Sequence, residues 1–145
     1  MEPKFQVQLK IRKPVAQVFE AVVNPAKLSG YFVKTSSGPL AAGTTVKWSF
    51  AEVPGEFDVI AREVIANERI VFEWPTDDGY NTRVEMRFVP LDAGNTMVKI
   101  SESGWRPDEK GITASYGNAG GWMHMMLCLK GYLEYGINLR EGGAF

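Results

Sequence analysis

The sequence has very few of the residues that build disulfide or zinc frameworks, with one cysteine and one histidine in 145 residues. Cys128 alone cannot form an intrachain disulfide, and a cysteine-rich zinc site is excluded. An excess of one charge is also missing, because 16 Lys and Arg stand against 17 Asp and Glu. The net charge of −1 gives no global basic field, so neither nucleic acid nor an anionic membrane is expected as a partner.

Long apolar runs are absent as well. No run approaches the ~20 residues that a membrane-spanning helix needs, and the first residues lack the apolar segment of a secretory signal. We therefore expect a cytoplasmic protein with no membrane partner. The length predicts a single domain over residues 1–145, large enough to bury a sizeable core.

The sequence is rich in large apolar side chains: 45% of residues are hydrophobic and 12% aromatic, including four Trp. Alternation of apolar and polar residues over 5–11 predicts a first strand. Helical spacing from Pro14 to Val23 predicts a helix that Asn24 and Pro25 end, followed by a shorter helical turn to Gly30. Alternation then returns between hairpin-length turns, which predicts an antiparallel meander over 46–50, 57–61, 70–74, 84–88 and 98–100.

The last third of the chain changes to helical spacing. Apolar residues three and four apart predict one long amphipathic helix from about Thr113 to Leu139. Its broad apolar face needs the dry face of the sheet as a partner. The expected fold is α+β: a curved antiparallel sheet of six or seven strands wrapped around a long C-terminal helix, with two short helices after the first strand. Large aromatic side chains would line the space between sheet and helix.

Four segments carry a resemblance to a known family. They are residues 11–19 at the exit of the first strand, 24–28 in the second helical turn, 68–74 ending in Trp74, and Gly121-Trp122 in the last helix. In this order they resemble the START-like superfamily, also called SRPBCC or helix-grip proteins, and most closely its branch similar to activators of a heat-shock-protein ATPase. The superfamily includes ligand carriers, cyclases and chaperone partners, so the resemblance implies the fold and leaves the function open.

Glu102 is the most informative polar residue. Period-two alternation after Val98 and Ile100 points Glu102 toward the interior, and the resemblance implies a polar group in the cavity at this position. An inward Glu102 could bind a ligand by hydrogen bonds or act as a general acid or base. The alternative is a strand that ends at Ser101 and leaves Glu102 in solvent.

The predicted ligand-binding set combines Glu102 with aromatic and methionine side chains that would face the cavity. Flexible thioethers and indole rings suit an apolar pocket, although the same side chains also fill ordinary cores. The full set is Tyr31, Trp48, Phe50, Trp74, Met86, Phe88, Glu102, Trp122 and Met126.

Other features of the sequence support a site less well. His124 and Cys128 lie four residues apart on one helix, but two ligands do not make a metal site, and none is predicted. Residues 105–111 form a polar connection that is either a gate at the cavity mouth or an ordinary loop with Trp105 on the surface. Gly117, Gly120 and Gly121 would allow close approach of the helix to the sheet or a bend.

These observations favour a binding module that holds a hydrophobic or aromatic small molecule, without a cofactor and with no catalytic residue assigned. One alternative is an enzyme of the polyketide cyclase or aromatase type, for which Glu102 is the one inward acid. Another is a chaperone partner that acts through its surface. Homodimerisation through a sheet edge or face stays open.

Overall fold

The computed structural model describes residues 2–144 and contains one antiparallel sheet and one long helix. The sheet has seven strands in the order β1-β7-β6-β5-β4-β3-β2, and the long helix packs against it. This arrangement confirms the predicted helix-grip α+β fold. In chain order the elements are β1 (Lys4–Ile11), α1 (Val15–Val23), α2 (Pro25–Leu28), β2 (Thr35–Ser36), β3 (Thr45–Phe50), β4 (Val53–Ile65), β5 (Arg69–Pro75), β6 (Asn81–Asp92), β7 (Asn95–Ser103) and α3 (Glu109–Tyr135).

The boundaries of α3 differ from the predicted ones at both ends. The helix begins at Glu109 because the Asp108 side chain caps it, accepting a 2.8 Å hydrogen bond from the backbone N–H of Gly111. It ends at Tyr135 because Gly136 adopts a left-handed conformation with φ of 68°. Leu139, predicted as the last helical residue, therefore lies beyond the helix and is exposed.

The strands are longer than the alternation suggests. β4 runs for 13 residues from Val53 to Ile65, past the predicted bounds of 57–61, and its pairing with β5 shifts register between Ala61 and Glu63. The N-terminal extension of β4 pairs with the end of β3. The β3–β4 hairpin thus brings Phe50 and Val53 to the groove beside α3.

Aromatic side chains pack against one another in the interior between the sheet and α3. Trp48 and Phe72 pack edge to face with ring centroids 5.4 Å apart, and Trp74 and Trp122 lie 5.2 Å apart. Under α1, the ring of Phe19 packs edge to face on Phe88 at 5.3 Å. Such pairs add about 0.5–1.5 kcal/mol each beyond the burial of their area.

An ionic cluster fastens the end of β1 to the last turns of α3. The carboxylate of Glu134, which is 3% exposed, accepts hydrogen bonds from the backbone N–H and the guanidinium of Arg12 and from Lys130. Burial raises the pKa of Glu134, but these hydrogen bonds outweigh it and lower the pKa from 4.5 to about 2. Within residues 2–144, no helix is long and apolar enough to cross a membrane.

Candidate functional site

Glu102 lies on the inner face of the sheet. β7 continues to Ser103, and its side chains alternate so that Val98, Ile100 and Glu102 are all buried. Glu102 is 1% exposed and sits between Phe5 of β1 and Val84 of β6. The alternative of a strand that ends at Ser101 is therefore wrong, and period two places the acid correctly.

Four side chains donate hydrogen bonds to the Glu102 carboxylate. Oε2 accepts from Trp74 Nε1 at 3.0 Å and from Thr82 Oγ1 at 2.6 Å. Oε1 accepts from Trp122 Nε1 at 2.8 Å. The amide of Asn118 bridges both oxygens, with its Nδ2 at 3.1 Å from Oε1 and 3.2 Å from Oε2. Because indole N–H and amide NH₂ groups can only donate, three of the four partners match the acceptor-only form of a carboxylate.

None of these four partners is cationic. The donors that stabilise the buried carboxylate are neutral dipoles on β5, β6 and α3. Their hydrogen bonds connect these three elements to Glu102 on β7. Burial of an unpaired polar group is unfavourable, so the donors compensate Glu102 for its lost hydration. They also fix the orientation of two indole rings at the junction of sheet and helix.

A pocket of about 270 Å³, here called the first pocket, opens next to the side chains that bind this carboxylate. Trp74, Thr82 and Asn118, three of the four donors to Glu102, form part of its wall. The other lining residues are mainly aromatic or lie at the rim: Phe50, Val53, Phe57, Pro75, Thr76, Asp77, Asp78, Tyr80, Trp105, Lys110 and Ala114.

A second pocket of about 160 Å³ adjoins the first along α3. The two share a wall formed by Phe50, Val53, Trp74 and Asn118. Trp122 also lines the second pocket. Of the two indole donors to Glu102, Trp74 therefore lines both pockets and Trp122 lines the second. Its remaining lining residues are Phe32, Glu52, Gly121, His124 and Arg140.

Ionic and aromatic contacts join two segments of the chain along the rim of the first pocket. Lys110 of α3 donates a 2.8 Å hydrogen bond to Asp78 in the β5–β6 turn, and this bond lowers the pKa of Asp78 and raises that of Lys110. The guanidinium of Arg106 lies 4.5 Å from the ring centroid of Tyr80, whose hydroxyl accepts from the Arg106 backbone N–H. These contacts tie the connection before α3 to the β5–β6 turn.

An ion pair lies at the edge of the second pocket. Arg140 donates a 2.7 Å hydrogen bond to Glu52, and both side chains are mostly buried. Burial raises the pKa of Glu52, but the hydrogen bond and charge of Arg140 outweigh it, so the pKa is lowered. Cys128 Sγ lies 3.7 Å from His124 Nε2, and burial raises the pKa of this thiol. No group of three or more His, Cys, Asp or Glu within residues 2–144 is arranged to hold a metal ion.

A comparison of the sequence with protein families identifies the family of this chain. Residues 12–134 match the family described as "Activator of Hsp90 ATPase homolog 1-like protein". The chain belongs to this family. No curated protein sequence matches that of the chain at a significant level.

Three solved structures with the same fold illustrate the range of sequence identity to this chain. A Staphylococcus saprophyticus protein is 28% identical with a TM-score of 0.82, and the match covers 97% of both chains. DynU16, described as a putative protein in the dynemicin biosynthetic locus, is 22% identical with a TM-score of 0.81, over 94% of this chain and 49% of its own. The Aha1 dimer from Colwellia psychrerythraea is 18% identical with a TM-score of 0.75, over 92% and 97%. The last two show the fold alone.

The fold of this Hsp90-activator-like chain brings some of the predicted site residues together and separates others. Phe50, Trp74 and Trp122 line the pockets, and Glu102 lies behind their shared wall. Tyr31 lines a separate surface pocket and its hydroxyl donates to the carbonyl oxygen of Ala21 at 3.0 Å. Four of the predicted residues are buried in the core and line neither of the two pockets: Trp48, Met86, Phe88 and Met126.

Several residues of the site were not predicted from the sequence. Asn118 precedes Trp122 by four residues, so helical spacing puts both on one face of α3 and could have identified it. Thr82 precedes Val84 by two residues on β6 and shares its inward face. Trp105 is buried against Phe5, with ring centroids 5.7 Å apart, and also lines the first pocket. Of the two alternatives for residues 105–111, the ordinary loop with Trp105 on the surface is therefore wrong, and the gate at the cavity mouth stays a hypothesis.

The glycines of α3 also correct an expectation. A Cβ at Gly117, Gly120 or Gly121 would meet nothing within 4 Å, so the helix and the sheet do not approach each other closely at these residues. Gly111 is the residue at which the backbone comes close, since a Cβ there would lie 2.0 Å from the carbonyl oxygen of Arg106.

Proposed function

We propose that the protein is a binding module for a small hydrophobic or aromatic molecule held between the sheet and α3. The observation that carries the proposal is the pair of adjoining pockets that share an aromatic wall at Phe50 and Trp74. Aromatic pockets with a few convergent polar groups are the usual form of small-molecule sites.

The size of the pockets limits the ligand. Volumes of about 270 and 160 Å³ lie below the roughly 300–1,000 Å³ of pockets for drug-sized ligands. A ligand with one or two rings suits either pocket, and a longer one could cross the shared wall. The rings of Trp74 and Phe50 offer edges and faces for offset or edge-to-face stacking.

Asn118 is the polar group best placed to orient a ligand. Both hydrogen bonds of its Nδ2 go to Glu102, which leaves Oδ1 as the atom of the amide free to accept. Among the described residues, none donates to Asn118 Oδ1. A ligand hydroxyl or N–H could donate to this oxygen, and Tyr80, which also lines the first pocket, could add a second contact.

The environment of Glu102 supports binding over acid–base catalysis. Its two oxygens already accept five hydrogen bonds from four side chains, and a general base must be free to take a proton from the substrate. Glu102 is instead a positioning residue for Trp74 and Asn118. This arrangement weakens the alternative of a polyketide cyclase or aromatase.

The proposal can be tested by filling the first pocket. Ala114 lines it from an exposed turn of α3, so Ala114→Leu adds volume without disturbing the core. A panel of one- and two-ring aromatic compounds is titrated at millimolar concentration, with the melting temperature as readout. We expect dose-dependent stabilisation of the wild type and at least roughly tenfold weaker binding by Ala114→Leu.

The matched control is Ala16→Leu, the same substitution at an exposed position of α1. It should bind the panel as the wild type does. If no compound stabilises the protein, or if Ala114→Leu responds as Ala16→Leu does, the first pocket is not the binding site.

The family match favours a second candidate, stimulation of an Hsp90 ATPase. Such a role would use an external surface, and Val89 and Leu91 near the end of β6 provide exposed apolar side chains. The test is the ATPase rate of an Hsp90 with increasing amounts of this protein. Stimulation that Val89→Ser with Leu91→Ser abolishes and Ala114→Leu retains would support it, and an unchanged rate at saturation would refute it.

A further inference from the structure

We propose that the first pocket selects an organic cation, a molecule that carries an ammonium group on an aromatic or apolar body. The inference rests on the proposed function, because it names the ligand class of the same site. It depends on the charge behind the pocket wall, the charges at the rim and the rings between them.

The charge behind the wall is that of Glu102. Three of its four hydrogen-bond donors, Trp74, Thr82 and Asn118, also line the first pocket, so the carboxylate lies one side chain away from the pocket space. Neutral donors replace its hydration but do not cancel its charge. Buried charges are normally paired, and a cation in the pocket would supply the missing counter-ion.

The other charges around the first pocket nearly balance. Lys110 pairs with Asp78 at 2.8 Å across the rim. Asp77 also lines the pocket near Lys110, and Arg106, stacked on Tyr80, adds a second positive charge close to Asp78. The positive N-terminal end of α3 faces its own acidic cap at Asp108 and Glu109. Glu102 therefore remains the unbalanced charge, and its field in the pocket favours a positive ligand.

The walls of the first pocket suit a cation as well as an apolar group. Five aromatic rings line it, those of Phe50, Phe57, Trp74, Tyr80 and Trp105. Ring faces attract ammonium and guanidinium groups, most strongly where water is excluded. The guanidinium of Arg106 already lies 4.5 Å from the centre of the Tyr80 ring, so one of the lining rings contacts a cation in this way.

The experiment compares three probes that share one ring system and differ in charge: 2-naphthylmethylamine, 2-naphthalenemethanol and 2-naphthoate. Dissociation constants are measured at pH 7 by titration of the ¹⁵N-labelled protein, which also locates the binding. We expect the amine to bind about tenfold tighter than the alcohol, and 2-naphthoate to bind more weakly than the alcohol.

Two charge variants at the rim of the first pocket should change the affinity for the amine in opposite directions. Lys110→Gln removes a positive charge and should tighten amine binding about threefold, whereas Asp77→Asn should weaken it by a similar factor. Glu102→Gln should abolish the preference for the amine over the alcohol. Glu68→Gln, at an exposed turn at the other end of β5, removes the same charge as Glu102→Gln and should change nothing.

The outcomes separate the two proposals. If the alcohol or 2-naphthoate binds the first pocket as tightly as the amine, the cation inference is wrong while the binding module stands. If none of the three probes binds, the binding module itself is contradicted, and the inference falls with it. If Glu102→Gln fails to fold, Lys110→Gln and Asp77→Asn still decide, because equal affinities for the amine in both would overturn the inference.

Discussion

The indole N–H of Trp74 donates a 3.0 Å hydrogen bond to Glu102, which is 1% exposed, while the ring of Trp74 forms a wall between two pockets. One interaction thus joins a buried carboxylate on β7 to the surface where a ligand would bind. The rotamer of Trp74, and with it the shape of both pockets, depends on Glu102. Substitutions at Glu102 should therefore affect stability and binding together.

Glu102→Gln should destabilise the protein by about 1–3 kcal/mol, because the new amide NH₂ would face another donor in place of either oxygen. Urea unfolding at pH 7 measures the difference in free energy of unfolding. Glu68→Gln, on an exposed turn, should stay within about 0.5 kcal/mol of the wild type. Equal stability of the two variants would contradict the role assigned to the carboxylate.

Lowering the pH should weaken the contact between β1 and α3 that the Glu134 carboxylate makes. Its pKa is lowered from 4.5 to about 2 in the folded protein, so the folded state favours the ionised form. The stabilisation, about 3 kcal/mol, is fully present above pH 4.5 and is lost as the pH falls toward 2. Glu134→Gln should lower stability at pH 6 and flatten its decline between pH 4.5 and 2.

Unfolding free energies measured at several pH values in that window provide the check. Glu141→Gln, an exposed position in the C-terminal segment, serves as the control and should leave the pH profile as in the wild type. A Glu134→Gln variant whose stability declines as steeply as that of the wild type would rule out Glu134 as the source.

The glycines of α3 should respond in opposite directions to alanine. Gly111→Ala places a Cβ 2.0 Å from the backbone oxygen of Arg106, and we expect a loss of at least about 2 kcal/mol because the backbone must move. Gly117→Ala meets nothing within 4 Å and should gain about 0.5–1 kcal/mol from helix propensity. Chemical denaturation of both variants tests the pair, and a destabilised Gly117→Ala would disagree with the open space seen beside it.

The alternation of side chains predicted the sheet and the direction of Glu102 correctly because β6 and β7 bury every second residue along the strand. It could not locate the pockets. Phe88 and Met86 face inward as predicted, yet Phe19 of α1 packs on Phe88 and closes the space above it. Periodicity identifies the face of a residue, whereas the filling of the opposite layer depends on elements far away in sequence.

The position of the site depended on local details that a pattern of apolar residues does not contain. β4 begins at Val53 despite Pro54 and Gly55, which are typical of turns. The longer hairpin carries Phe50 to α3 and so forms the shared wall of the pockets. Asn118, at the centre of the site, is polar, so a pattern of apolar residues does not identify it.

The most direct test of the account is a ¹⁵N-detected titration of the wild type with 2-naphthylmethylamine, repeated on Ala114→Leu. We expect the largest shifts at the Trp74 indole N–H and the Asn118 side-chain amide, and their loss in the variant. Shifts that are absent, that lie away from both groups, or that persist unchanged in Ala114→Leu would contradict it.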